Sequence, residues 1–273
     1  MQQRPHGEHD NPPAVITRPE PGIAVLTLDR PASRNALSLG MMAALQVAID
    51  LLGDDADVAA IVLAANGPAF CAGHDLKELT AHRADFDGGR AFFRQTMELC
   101  AQLMQTIIRC PKPVIAAVEA TATAAGCQLV ASCDLAVASD HARFCTPGVN
   151  IGLFCSTPMV ALSRNVPRKR AMEMLLLGEL IGASEAAQYG LVNKAVSQED
   201  VMPAALDYAR RIAAKSSATV AIGKEAFYHQ IEQPLSDAYD YAVGVMVQNM
   251  LFRDAEEGIG AFLEKRKPDW KGC

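Results

Sequence analysis

The chain has 273 residues, of which 50% are hydrophobic and 21% charged, and its net charge is −6. That length and apolar content bury a full core in one large domain, or in a domain with a small appendage. The acidic balance excludes a broad nucleic-acid footprint, although a local basic cluster still meets phosphates.

Residues 1–13 (MQQRPHGEHDNPP) are polar, rich in Pro and His and without the apolar stretch of a secretory signal; they read as a disordered leader. Gly22 to Leu28 is a short apolar run rich in strand formers, closed by Asp29-Arg30-Pro31. Ser38 then caps a helix whose stripe is Met41, Met42, Leu45, Ala48, Ile49 and Leu52, with Gly53 as its stop. Val58 to Ala64 is a second buried strand, and residues 66–80 are a glycine-bearing loop that leads toward a helix. Phe93, Met97, Cys100, Met104 and Ile107 set a helix over 92–108, closed by Pro111 and Pro113. Further strands are expected at 114–118, 135–138 and 144–146.

Phe144 to Ser163 is the longest run without a charge, but Pro147, Gly148, Asn150, Gly152 and Pro158 interrupt it. A membrane-spanning helix of about 20 apolar residues does not carry such breakers, so the run reads as buried loop and strand in a soluble chain. Helices are expected at 168–177, 184–189, 198–214, 219–230, 235–251 and 255–265. Strands first and helices last point to an α/β core over residues 14–205, followed by a helical region over 206–273. The eight cysteines include no CxxC pair and stand mostly in apolar surroundings. They point to buried, reduced thiols in a cytoplasmic protein rather than to a disulfide or zinc framework.

Two glycine-bearing turns carry the chemistry. In Phe70-Cys71-Ala72-Gly73-His74-Asp75-Leu76, a glycine just before a helix start lets the backbone approach a ligand, and the amide of residue 74 is a free donor for an anion. In Ala124-Ala125-Gly126-Cys127-Gln128, small residues between a strand and an apolar helix again turn amides outward. A capped loop and a close-packed corner would leave the same trace one at a time. Together, the turns can converge on one thioester oxygen as an oxyanion hole, where losing one donor typically costs about 10²–10³ in rate.

With Arg34-Asn35-Ala36-Leu37 before them and Thr146-Pro147-Gly148-Val149-Asn150-Ile151-Gly152 after, these turns resemble the enoyl-CoA hydratase/isomerase (crotonase) family over about residues 15–270. Within it, residues 123–134, residues 146–158 and the ending Gly258 to Pro268 are features of one subgroup. The resemblance implies a crotonase-type α/β spiral of ββα turns, with a C-terminal helical region that builds trimers, often paired as hexamers. It implies a bent acyl-CoA as substrate or ligand, with no separate cofactor, metal, nucleic acid or membrane partner. The thioester oxygen would meet the amides of His74 and Ala125. The CoA would lie near Arg34, Ala36, Ala72, Asp75 and Leu76, with Phe262 and Lys265 reaching it from a neighbouring subunit.

The chain departs from that pattern where hydratases of the family place their two glutamates: Gln128 and Gly148 stand there. Glutamine orients a water but does not exchange a proton at neutral pH, and glycine does neither. A positioned acid or base contributes about 10²–10⁴, so ordinary hydration is expected to be very slow unless both carboxylates are restored. Glu119 and Asp134 are the nearby carboxylates; they read as solvated or capping residues, with a role as base the alternative. The His74 imidazole stands beside its own amide, and a histidine in this Gly-His-Asp context occurs in methylmalonyl-CoA decarboxylases of the family, which Thr146 also resembles. Cys71, Cys145 and Cys155 lack a basic neighbour and read as structural thiols. Arg164, Arg168, Lys169 and Arg170 form a basic cluster that fits a solvated helix start or a subunit contact better than a phosphate site. Three readings follow: a hydratase or isomerase with rearranged acid–base groups, a malonyl- or methylmalonyl-type decarboxylase, and a non-catalytic acyl-CoA binder.

Overall fold

The computed structural model describes residues 12–273, so the expected leader, apart from Pro12 and Pro13, lies outside the described residues. The chain repeats a strand–strand–helix unit. The first unit is β1 (Ala14–Glu20), β2 (Gly22–Leu28) and α1 (Leu39–Asp54). The second is β3 (Val58–Ala65), β4 (Ala69–Cys71), α2 (Leu76–Ala81) and α3 (Arg90–Arg109). The third is β5 (Val114–Val118), β6 (Thr121–Thr123) and α4 (Ala125–Ser132). The fourth is β7 (Leu135–Ser139), β8 (Arg143–Cys145), α5 (Pro158–Asn165) and α6 (Arg168–Leu177). After β9 (Ile181–Gly182), α7 (Ala183–Tyr189) and β10 (Lys194–Val196), the chain is helical: α8 (Val201–Ala213), α9 (Ser217–Gln230), α10 (Leu235–Met250) and α11 (Arg253–Glu264).

The first unit places both of its strands in one sheet, β1-β2-β3-β5-β7-β10; the second, third and fourth units send their first strand to that sheet and their second to another, β4-β6-β8-β9. Within the larger sheet, β2, β3, β5, β7 and β10 run parallel, and alternate residues face opposite layers. Leu26, Leu28, Ile61, Leu63, Val114 and Ala116 pack with Met42, Leu45, Leu103 and Ile107 of α1 and α3. Ile23, Val25, Val62, Ile115 and Val137 pack with Val201, Ala205 and Ala209 of α8. Burial on both faces is why these strands read as continuous apolar runs. Helix α8 crosses the 205/206 boundary expected from the sequence, because the back face of the sheet needs its whole length.

The Ser38 cap forms, its hydroxyl accepting from the Met41 amide at 3.2 Å, while α1 continues through Gly53 to Asp54. The solvated or capping role expected for Asp134 is corrected: the carboxylate is the acceptor of a tertiary network. It is buried and accepts from Lys224 Nζ at 2.6 Å, the Val114 amide at 2.7 Å and the Tyr228 hydroxyl at 3.0 Å. Lys224 also donates to the carbonyls of Ile107 and Lys112, at 3.0 and 3.1 Å, so α9 is fastened to the core by one saturated ammonium. Helix α10 buries only Ala238 and leaves Leu235, Tyr239, Val243, Met246 and Val247 exposed. Among the described residues, no helix is long and apolar enough to cross a membrane.

Candidate functional site

Strands β4, β6 and β8 are parallel neighbours, with Cys71 opposite Ala122 and Thr123 opposite Cys145. Their C-terminal ends therefore deliver three turns to one edge: Gly73-His74, Ala124-Ala125 and Thr146-Pro147. The edge beyond the carboxyl ends of parallel strands is where α/β sheets bind ligands.

The first two turns touch. Gly73 has φ +86°, and a Cβ there would lie 2.9 Å from the Ala124 Cβ, 3.1 Å from the Thr123 carbonyl oxygen and 3.2 Å from the Ala125 nitrogen. The Thr123 hydroxyl donates to the Ala72 carbonyl at 3.0 Å, and the Ala124 amide donates to the Cys145 carbonyl at 2.9 Å, so all three strand ends are tied together. A Cβ on Gly126 would lie 2.1 Å from the Cys71 carbonyl oxygen, so α4 starts flush against β4. Among the described residues, neither the His74 nor the Ala125 amide donates to a protein acceptor. Ala124, at φ 50° and ψ −119°, holds a backbone conformation that residues with a Cβ avoid, a strain of roughly 1–3 kcal/mol that the packed turns must hold in place.

The third partner is the segment 34–37. The Ala72 amide donates to the Arg34 carbonyl at 3.0 Å and the Leu37 amide to the Gly73 carbonyl at 2.8 Å. Arg34 and Asn35 both have positive φ, 53° and 52°. Asn35 holds that bend: its buried Nδ2 donates to the carbonyls of Asn66 and Ala69, each at 2.9 Å, and its Oδ1 accepts from the Arg30 amide at 2.8 Å. Arg34, Ala36, Ala72, Asp75 and Leu76 are thereby drawn together beside Gly73. The Asp75 carboxylate is occupied as the cap of α2, accepting from the amides of Lys77 and Glu78 at 2.9 and 3.1 Å.

The side chains at this edge are sparsely polar. His74 Nδ1 faces the Leu37 carbonyl at 3.4 Å, while Nε2 is buried and has no partner among the described residues. Burial lowers the imidazole pKa below 6.5, partly offset by the Leu37 carbonyl. The Thr146 hydroxyl is buried and also unpaired. Gln128 is 4% exposed, and its Oε1 accepts from the Cys100 thiol at 3.8 Å. A Cβ on Gly148 would stand 2.7 Å from the Leu153 carbonyl oxygen and 2.9 Å from Cys155 Sγ. The chain has folded into the space that a side chain at 148 would need.

The remaining candidates lie elsewhere or are inert. Burial pushes the thiols of Cys71 and Cys100 up to about 12 and that of Cys145 up to about 11, and raises Cys155 as well. Glu119 accepts from Gln198 at 3.4 Å. Arg164 pairs with Glu232 at 2.7 Å and Arg170 with Glu173 at 2.8 Å, so the basic cluster is partly neutralised on the surface. Phe262, 83% exposed, and Lys265 belong to the end of α11, which packs on α9 and α10.

A family model described as enoyl-CoA hydratase/isomerase matches residues 18–273. The chain belongs to the enoyl-CoA hydratase/isomerase family. It is 48% identical over 267 residues to rat enoyl-CoA hydratase domain-containing protein 3, mitochondrial, covering 98% of this chain and 87% of the relative. The human protein of that name is 49% identical over 249 residues, covering 91% and 80%. Among solved structures, an enoyl-CoA hydratase of Mycobacterium smegmatis superposes with a TM-score of 0.91 at 50% identity, covering 95% of this chain and 99% of that one. The human domain-containing protein 3 gives 0.89 at 47%, covering 94% and 100%. These neighbours establish the crotonase-type α/β fold, and the relatives carry the subgroup that residues 123–134 and 146–158 single out.

One expectation is corrected here. The cysteine pattern pointed to a cytoplasmic protein, but five vertebrate relatives at 45% to 49% identity are all named mitochondrial. A reducing matrix keeps thiols free as the cytosol does, so cysteine usage does not separate the two compartments. Asn35, Thr123 and Ala124 stand in motifs named above, but the roles that the structure gives them as supports of the turns are not read from those motifs. Only Ala124 has a readable signal, as a small residue directly before a helix of small residues.

Proposed function

We propose that this chain binds an acyl-CoA thioester and polarises its carbonyl between the amides of His74 and Ala125, as an enoyl-CoA hydratase/isomerase-like protein without the two usual glutamates. The observation that supports the reading is the close approach of Gly73 to Ala124 and Ala125, which joins two turns whose His74 and Ala125 amides have no protein acceptor among the described residues. Backbone donors survive side-chain change, so a thioester cradle is compatible with Gln128 and Gly148. In this reading the adenosine end lies along Arg34, Ala36, Ala72 and Leu76, with Asp75 fixing the start of α2. Phe262 and Lys265 act from a neighbouring copy in a trimer or a pair of trimers. The unpartnered apolar face of α10 supports that assembly, since a helix of this composition is stable when another surface covers it.

The test compares His74→Pro with His74→Ala. Both remove the imidazole and only the first removes the amide. The carbonyl stretch of bound butyryl-CoA should move to lower frequency in the wild type and in His74→Ala, and stay at its solution value in His74→Pro. An unshifted stretch in the wild type would show that the amides do not receive the thioester oxygen. A shifted stretch with no turnover of any thioester would identify a binder rather than an enzyme.

A further inference from the structure

Among the described residues, two buried polar atoms at the edge of the β4–β6–β8 sheet have no protein partner: His74 Nε2 and Thr146 Oγ1. Buried polar side-chain atoms are paired in the large majority of cases, so each orphan asks for a group from outside the chain. Thr146, 1% exposed, directly follows β8, and His74 follows β4, the two strands that flank β6. The two residues therefore follow strands that lie on either side of β6, the strand that leads into the Ala124-Ala125 turn.

Their hydrogen-bonding roles are fixed by what surrounds them. The Leu37 carbonyl beside Nδ1 only accepts, so the ring proton of the neutral imidazole sits on Nδ1 and Nε2 presents a lone pair. Burial keeps the ring neutral near pH 7. The Thr146 hydroxyl has a proton to give. A ligand group that satisfies both atoms donates to Nε2 and accepts from Oγ1, which is what a hydroxyl does. An ionised carboxylate only accepts and would set its lone pairs against that of Nε2, which disfavours a malonyl-type ligand.

We infer that His74 Nε2 and Thr146 Oγ1 handle a hydroxyl in this site, His74 as its base and Thr146 as the donor that orients it, in place of carboxylates at 128 and 148. The inference rests on the thioester reading above. The hydroxyl is either the 3-hydroxyl of a hydroxyacyl-CoA or the water that adds to a 2-enoyl-CoA. In the addition, Nε2 takes one water proton as the water oxygen bonds to C3. The C2=C3 electron pair moves toward the thioester, and its charge collects on the carbonyl oxygen between the two amides. The imidazolium then returns the same proton to C2, so one water is added and the base is regenerated. Elimination from a 3-hydroxyacyl-CoA is the reverse.

Titration calorimetry of the full chain with 3-hydroxybutyryl-CoA and butyryl-CoA tests the assignment. The hydroxylated thioester should bind about tenfold more tightly in the wild type, the worth of two ordinary hydrogen bonds. Thr146→Val and His74→Phe should each shrink that ratio. Both affinities are measured in one protein, so a general loss of binding cancels, and the wild-type ratio stands if a variant does not fold. With 2-butenoyl-CoA, hydration that disappears in His74→Phe identifies the hydroxyl as water and His74 as its base, and upholds the inference; a binding preference without turnover leaves Nε2 only as an acceptor for the substrate's own 3-hydroxyl and overturns the base role. Equal affinities in the wild type, or a preference unchanged in both folded variants, overturn it. If neither thioester binds, the thioester reading falls and this inference with it.

Discussion

Gly73 lies against Ala124 so closely that an added Cβ would come within 2.9 Å of the alanine's own. That contact holds against each other the two turns that carry the His74 and Ala125 amides. Gly73→Ala meets both the contact and a φ of +86°, and overpacking of this kind costs typically about 1–3 kcal/mol. Gly88→Ala is the control, since its φ is +68° but nothing lies within 4 Å. Urea denaturation should show the larger loss for Gly73→Ala, and only that variant should lose butyryl-CoA binding. Equal effects of the two would mean that the turn contact does not set the amides.

Carboxylates cannot simply be returned to this site. Glutamine and glutamate are nearly isosteric, so Gln128→Glu fits beside Cys100, although a buried carboxylate there has its pKa raised by desolvation. At position 148, a Cβ already collides with the Leu153 carbonyl and Cys155 Sγ. Gly148→Glu must push residues 153–155 aside, at about 1–3 kcal/mol or more. The sequence alone invites the double variant as a restored hydratase. The structure predicts instead that Gln128→Glu/Gly148→Glu melts below Gln128→Glu and hydrates 2-butenoyl-CoA no faster. Faster turnover by the double variant would show that the 153–155 segment gives way easily.

What the sequence discloses follows from how local each cause is. Strands β2, β3, β5 and β7 are legible because both faces are buried, which forces long apolar runs. Strands β1, β4, β6, β9 and β10 are not among the expected strands; β6 and β9, of 3 and 2 residues, carry too few positions to show a period. The two glycine turns are legible, but their contact is not, because residues 73 and 124 meet only after β4 and β6 pair. Gly148 reads as a missing glutamate, while its packing against Leu153 and Cys155 belongs to tertiary structure. Asp134 reads as a surface cap because its ammonium partner is 90 residues away.

That ion pair yields a stability prediction. Burial pulls the Asp134 carboxyl upward, against the charge and hydrogen bond of Lys224 that hold it ionised. The side chains of Lys224 and Asp134 are only 6% and 14% exposed, so solvent does little to screen them. Removing one partner of a buried pair strands the other, at about 3–5 kcal/mol. Lys224→Met should cost that much in urea denaturation. Lys224→Met with Asp134→Asn should recover part of it, since the amide carries no charge to strand. A loss under about 1 kcal/mol for the single variant would place it with exposed pairs and show that α9 is not fastened through Lys224.

His74 gives the pH dependence a definite sign. Burial lowers its pKa from 6.5 in the folded chain. Above that value the imidazole is neutral in both the folded and unfolded states. As pH falls below it, the unfolded chain takes up a proton that the folded chain refuses until its own lower pKa is reached. The unfolded state then binds more protons, so the folded state loses stability with falling pH throughout that window. His74→Gln removes the titrating group and keeps the backbone amide. Unfolding free energies measured from pH 7 downward should therefore fall less steeply for His74→Gln than for the wild type. Parallel slopes would mean that the ring reaches solvent freely, and a steeper slope in the variant would mean that the imidazole is held charged in the fold.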